Sequence, residues 1–235
     1  PVTITVNATP TAGVIATAQT ICSGATPSAF TSTTDGTGTG SVTYEWQTNA
    51  SGSYANIGSA TSSTYQAPSL TATTSYQRRT VAVSGGTTCY SSYTTPVTIT
   101  VNATPTAGVI ATAQTICSGA TPSAFTSTTD GTGTGSITYE WQTNASGSYA
   151  NIGSATSSTY QAPSLTATTS YQRRTVAVSG GTTCYSSYTT PVTITVNATP
   201  TAGVIATAQT ICSGAAPSAF TSTTDGTGTC LLYTS

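Results

Sequence analysis

Residues 41–47 read SVTYEWQ, and 95 residues later, at 136–142, the same text returns as SITYEWQ, with Ile137 in place of Val42. Side chains alternate along a strand with period two, so Val42, Tyr44 and Trp46 share one side and Thr43, Glu45 and Gln47 the other. An apolar side ending in Trp, on a strand between Gly-rich turns, is expected of the central core strand of a β-sandwich. Trp46, Tyr44 and Tyr76, with their copies Trp141, Tyr139 and Tyr171, are therefore the expected core.

Working outward, residues 1–95 and 96–190 align without gaps and differ only at Val42/Ile137. Residues 191–229 follow the same text, with Ala216 where the earlier copies have Thr26 and Thr121. A 95-residue period is far too long for a solenoid turn, which sets aside a threonine-rich parallel solenoid. PVTITVN at 96–102 alternates like a final strand, and ATPT at 103–106 is a linker in which Pro105 prevents continuation. The phase places whole domains at 8–102 and 103–197. It makes 1–7 the final strand of a preceding repeat and 198–229 the start of a third. At 230–235 the repeat breaks into CLLYTS, the translation of TGTCTCTTATACACATCT, the transposase adapter of sequencing libraries. Those residues are expected to be adapter read-through; the alternative is a natural divergent terminus.

Composition narrows the class. The chain has 235 residues, no His, no Lys and only 4% charged residues, against roughly 25% in ordinary soluble domains. Disorder goes with high charge and low hydrophobicity, so abundant β-branched and aromatic residues point to a folded β protein. A net charge of −1 argues against nucleic acid and anionic membrane as partners, and no apolar run approaches a membrane span.

Within the first whole unit, strands are expected at 13–18, 19–22, 28–34, 41–47, 54–57, 63–66 and 75–83, with a hairpin turn at 84–86 into a last strand at 88–101. That spacing fits a Greek-key sandwich. One parity conflict stands: Tyr76 and Val81/Val83 fall on opposite sides of a regular strand, which calls for a bulge or for Tyr76 to sit in the preceding corner.

The series TICSGATPSAF, YEWQ, NIGSATSSTYQAPSLTATTSYQRR, GGTTC and PVTITVN resembles the PKD-like or immunoglobulin-like repeats of large Bacteroidota cell-surface proteins, the adhesins and gliding-associated proteins exported by type IX secretion. The resemblance covers both whole domains and the start of the third. It implies an all-β chain of tandem immunoglobulin-like (PKD-like) sandwich domains with Greek-key topology, displayed extracellularly. Residues 70–76 resemble a tyrosine corner, in which the Tyr hydroxyl bonds backbone.

Each whole unit carries two cysteines, Cys22 with Cys89 and Cys117 with Cys184. In a His-free chain these read as disulfides more than as a metal site. The default is a bridge within each domain. Cys22 precedes the first turn and Cys89 follows the last, at opposite ends of a standard sandwich, so a Cys22–Cys184 bridge between neighbours is the alternative, and free thiols a third reading.

Glu45 on the outward side is expected to pair with Arg78 or Arg79, and Glu140 with Arg173 or Arg174, across neighbouring strands. Asp35 in DGTGTG is a turn residue, since one carboxylate cannot hold calcium. With no His and no Lys, no nucleophile has a base, so neither catalysis nor a cofactor is expected. Tyr54, Tyr65, Tyr90 and Tyr93 could form an aromatic platform for sugars; half-buried strand positions are the simpler assignment. Two functions follow: structural stalk or spacer repeats of an adhesin-like surface protein, whose partners are the neighbouring repeats, or a multivalent carbohydrate-binding module engaging surface glycans.

Overall fold

A computed structural model describes residues 1–230; Leu231 to Ser235, most of the expected adapter segment, lie outside the described residues. The first repeat contains β1 Val14–Ile15, β2 Gln19–Cys22, β3 Ser32–Thr34, β4 Ser41–Thr48, β5 Ala55–Asn56, β6 Thr74–Ser84, β7 Thr87–Tyr90 and β8 Val97–Asn102. The main sheet runs β2-β8-β6-β4-β5, with β7 also on β6, and β1 pairs with β3 in the facing layer. Phe30 bridges to Tyr65 beside that layer. The second repeat reproduces these elements from Val109–Ile110 to Val192–Asn197 with the same strand order. The fold is thus all-β, a tandem pair of immunoglobulin-like sandwiches.

The sandwich closes over one core. Trp46 and Phe30 are fully buried, and Ile15, Tyr44, Ala67, Leu70, Tyr76 and Ile99 complete the cluster. Phe30 stacks on Trp46 at 5.7 Å between centroids, and Trp46 Nε1 donates to Ser62 O at 2.8 Å, so the indole's polar edge is satisfied as its rings leave water. Trp141 and Phe125 repeat the pair. Tyr139 and Tyr171 are buried like Tyr44 and Tyr76. Val42, placed by parity on the same side, is exposed, although its ladder partner Ala82 is buried.

Several boundaries differ from the sequence reading. The expected strand 28–34 is strand only over Ser32–Thr34, and the expected 88–101 strand breaks into β7 and β8. Between them the chain leaves the ladder, and Ser91 N and Thr94 N donate instead to Thr80 O and Arg78 O of β6. Residues 1–7 have no strand assignment among the described residues.

The parity conflict resolves without a bulge. Along β6 every second side chain is buried, namely Thr74, Tyr76, Arg78, Thr80 and Ala82, so Val81 and Val83 face outward. Tyr76 is a regular strand residue packed on Phe30 and Tyr65, and its hydroxyl meets the Thr48 side chain rather than backbone, which corrects the tyrosine-corner expectation. The reason lies in DGTGTG. A Cβ on Gly36 would overlap Thr80 Oγ1, and one on Gly38 would stand 2.5 Å from Ala82 Cβ. The loop lays its bare backbone over the inner end of β6, where only Thr80 and Ala82 leave room.

By backbone proximity the chain forms two units. The first comprises Pro1–Pro105 with Gly133–Ile137 and Ala177–Tyr185; the second comprises Thr106–Thr132, Thr138–Val176 and the chain from Ser186. The hairpin end of the second repeat, with Cys184, thus belongs to the first unit.

Candidate functional site

The charged residues of the first repeat separate by strand parity. Glu45 lies directly opposite Arg79 in the β4–β6 ladder, and Trp46 opposite Arg78. Adjacent arginines on one strand must point to opposite faces. Arg79 therefore meets Glu45 outside, with Nε 2.8 Å from Oε1 and Nη2 donating to Oε2 at 3.1 Å. The Nε approach is ionic rather than a well-angled hydrogen bond. Tyr93 adds a 2.6 Å hydrogen bond from its hydroxyl to Oε1. The second repeat matches it, with Arg174 Nη2 2.8 Å and Tyr188 Oη 2.6 Å from Glu140 Oε1.

Arg78, expected as an alternative partner of Glu45, is instead fully buried. Its guanidinium lies 4.3 Å over Tyr44 and 5.5 Å from the Trp46 ring centre, and Nη1 donates to Ser32 Oγ at 2.5 Å and Ser63 O at 2.6 Å. Nε and Nη2 find no partner among the described residues. Burial lowers its pKa, against the raising influence of Tyr44 and Asp35. Arg173 repeats this placement over Tyr139, so it too is no partner of Glu140.

The electrostatics of Glu45 follow. Burial alone raises its pKa, but the hydrogen bonds from Tyr93 and Arg79 and the charge of Arg79 outweigh that, and the net direction is down. Tyr93 is pushed up to about 12, by burial first and then by the carboxylate it donates to. Arg79 is raised by its bond to Glu45. The arrangement holds a carboxylate ionised with both oxygens engaged. It offers neither a proton to donate nor a free base.

Beside this pair an open cleft of about 270 Å³ is lined by Thr43, Glu45, Asn56, Ile57, Val81 and Tyr90 among others. Tyr90 is 48% exposed and stacks under Arg79 at 4.2 Å. The four platform tyrosines do not converge. Tyr65 packs into the core at 5.6 Å from Trp46, and Tyr93 is tied to Glu45. Tyr54 is exposed just before β5 and does not line the cleft. Tyr93 as a carboxylate partner was not foreseen; its only signal is the strand excursion in SSYTTP that swings it over β6. Among the described residues no group of three or more acidic, His or Cys side chains could hold a metal, and no helix is long and apolar enough to cross a membrane.

The cysteines pair across the repeat boundary. Cys22 is bonded to Cys184, and Cys117 to Cys230, while Cys89 and Cys212 are free thiols. This corrects the default pairings Cys22–Cys89 and Cys117–Cys184. In β2 Cys22 aligns with Asn102 at the far end of β8, just beyond the start of β6, whereas Cys89 faces Ala82 near the other end of β6. From Thr74 to Ala82 the strand covers roughly 26 Å, and a disulfide requires Cα atoms within about 7 Å. Cys22 and Cys184 meet that limit at 5.7 Å.

Comparison with solved structures gives low similarity. The chain is similar to three N-terminal domains of the bacteriophage RB49 highly immunogenic outer capsid protein (Hoc) at 12% identity and TM-score 0.47, over 80% of this chain and 70% of that one. It is similar to the I-band fragment I67–I69 of titin at 11% identity and TM-score 0.47, over 85% and 74%. Fibronectin(III)-like modules of Clostridium thermocellum CbhA align at 15% identity and TM-score 0.37, over 82% and 94%. At these TM-scores the likenesses carry no functional argument. Among curated proteins nothing matches the chain. A domain of unknown function, DUF8696, matches twice, at residues 11–103 and 106–198, and the chain belongs to that family as two tandem copies.

Proposed function

We propose that the chain is a run of structural spacer repeats from a large bacterial cell-surface adhesin-like protein, of the PKD-like or immunoglobulin-like kind carried by Bacteroidota, and that it is not an enzyme. The observation that carries this reading is the bond from Cys22 of one repeat to Cys184 of the next. A link across the repeat boundary lets tension pass through a covalent bond as well as through folded cores. Disulfides persist in oxidising compartments, which suits extracellular display. The outward charges support the same reading, since Glu45 and Arg79 neutralise each other and Tyr93 closes the remaining approach.

The alternative, a multivalent carbohydrate-binding module, draws on the cleft beside exposed Tyr90. Titration calorimetry of the full chain against a panel of neutral and acidic oligosaccharides separates the two. A spacer gives no saturable heat. Saturable binding that disappears in Tyr90→Ala would assign the second function.

A further inference from the structure

The hairpin of the second repeat, Thr169–Ser179 and Thr182–Tyr185 joined through Gly180 and Gly181, meets β2 of the first repeat through more than its disulfide. β2 is the last strand of its sheet, and an edge strand keeps backbone groups that its own ladder leaves open. Thr182 Oγ1 donates to one of them, Thr20 O, at 2.9 Å. The parallel register sets Cys22 beside Asn102 of β8. Asn102 is buried; its carbonyl accepts from Ser23 N at 2.9 Å, and its Nδ2 donates to Ser179 O at 3.2 Å.

The turn is shaped for this approach. Gly180 has φ +57°, and a Cβ there would stand 2.9 Å from Thr20 Oγ1 and 3.3 Å from Thr20 Cγ2. Only glycine meets both the left-handed backbone and the close contact without strain. Beyond the turn, Thr183 O lies 3.4 Å from Cys22 Sγ, and Cys184 is 2% exposed. None of the hydrogen bonds from Thr182 and Asn102 involves sulfur. The hairpin is carried on the same chain as the edge it meets, so contacts too weak to join separate molecules suffice to hold it.

We propose that the edge formed by Thr20, Cys22 and Asn102 is a docking surface for the hairpin turn of the following repeat, and that docking precedes and outlasts the disulfide. Cys22–Cys184 is then a latch that closes on a joint already ordered by its own hydrogen bonds. With the latch open, the Cys22 thiol keeps Thr183 O as an acceptor and Cys184 keeps its buried place. Reduction does not release the hairpin at rest; it removes the covalent limit on how far a load can open the joint. Such a latch serves a spacer and a binding module alike.

With glutathione disulfide as oxidant the closing step balances. The Cys22 thiolate, the more exposed of the two, attacks glutathione disulfide, forming a mixed disulfide and releasing one glutathione thiolate. The Cys184 thiolate then attacks the Cys22 sulfur, and the second glutathione leaves as thiolate. Each released thiolate takes up a proton, so one glutathione disulfide becomes two glutathiones as two protein thiols become one disulfide.

The test removes the latch and asks whether the joint stays shut. The full chain carrying Cys22→Ser, kept reduced, is pulsed with iodoacetamide, and labelling of Cys184 is followed by peptide mapping in buffer and in denaturant. Labelling in buffer should be at least about tenfold slower than in denaturant. Adding Asn102→Asp, which replaces the donor to Ser179 O by a carboxylate, or Thr182→Val, which removes the donor to Thr20 O, should speed it by roughly 2–10-fold while circular dichroism stays that of the folded chain. If Asn102→Asp loses that folded signal, Thr182→Val decides. Labelling of Cys184 in buffer at its denatured rate would show that docking needs the bond. An unchanged rate in Thr182→Val would show that Cys184 is protected by its own repeat alone. Either result would overturn the proposal.

Discussion

Glu45 and Arg79 stand directly opposite each other on β4 and β6, and Tyr93 reaches over from the excursion after β7 to share the same carboxylate oxygen. The triplet sets how stability responds to pH. Glu45 is depressed in the folded state, so its contribution is present above the unfolded carboxylate pKa of about 4.3 and is lost as pH falls through the lower folded value. Tyr93 is raised to about 12, so its contribution is complete below the unfolded value of about 10 and is lost as pH rises towards 12. About a quarter of the Glu45 and Arg79 side chains is exposed, and solvent screening keeps each contribution to about 1 kcal/mol or less. Thermal melts should be flat from about pH 5 to about pH 8, soften below about pH 4, and soften again above about pH 10. Glu45→Gln together with Glu140→Gln should flatten the acid limb. A steep fall between about pH 7 and about pH 5 would contradict this assignment.

Trp46→Ala removes the ring on which Phe30 and Tyr65 pack and leaves Ser62 O without its donor. The cost is about 3–5 kcal/mol, comparable to the whole stability of a marginal domain. Chemical denaturation followed by circular dichroism reads it, with the fluorescence of Trp141 reporting the second repeat alone. Two transitions are expected in the wild type, or one shared transition if the repeats unfold together; in the variant the first repeat should be unfolded in buffer.

Arg78 gives a sharper contrast. Its Nε and Nη2 are buried without partners among the described residues, so the desolvation cost of the guanidinium is only partly offset by Ser32, Ser63 and the Tyr44 ring. Arg78→Met keeps most of the volume and removes the charge, and should melt at or above the wild-type temperature. Arg78→Ala leaves a cavity and should cost about 2–4 kcal/mol. A large loss in both variants would show that the guanidinium's hydrogen bonds outweigh its burial.

Gly36→Ala should destabilise the first repeat by about 1–3 kcal/mol, because the added methyl meets both Thr80 Oγ1 and, at 2.6 Å, Thr11 O. Gly58→Ala, where nothing stands within 4 Å and no positive φ is involved, should leave the melt unchanged. Equal effects would mean that DGTGTG does not pack on β6.

These contrasts mark where the sequence was legible. Tyr44 and Trp46 follow the parity of TYEWQ, and Glu45 on the opposite parity finds an arginine on the next strand, because period-two alternation depends only on strand geometry. The neighbouring strand misleads for a physical reason: its inward set includes Arg78 and Thr80, while Val81 and Val83 face out. Hydrophobicity and burial part company there because glycine backbone covers the inner end and a cation–aromatic contact admits the guanidinium. The cysteine pairing is legible only as an alternative, since it depends on which residues of one repeat reach the next, and spacing within a unit carries no such information.

The covalent link between repeats is the centre of the account, and single-molecule pulling of the full chain from its two ends tests it most directly. The Cys22–Cys184 bond closes a loop spanning 162 positions, hiding from tension a contour length of roughly 550 Å at about 3.4 Å per residue. Fully unfolded under oxidising conditions, the chain should fall short of its reduced length by that amount, and a reductant should release it in one step if Cys117–Cys230 breaks first, or as about 170 Å and then about 380 Å if Cys22–Cys184 breaks first, because Cys117–Cys230 then still closes a loop of 113 positions. Release in two shorter and equal steps, one for each repeat, would place the bonds within the repeats and contradict the account.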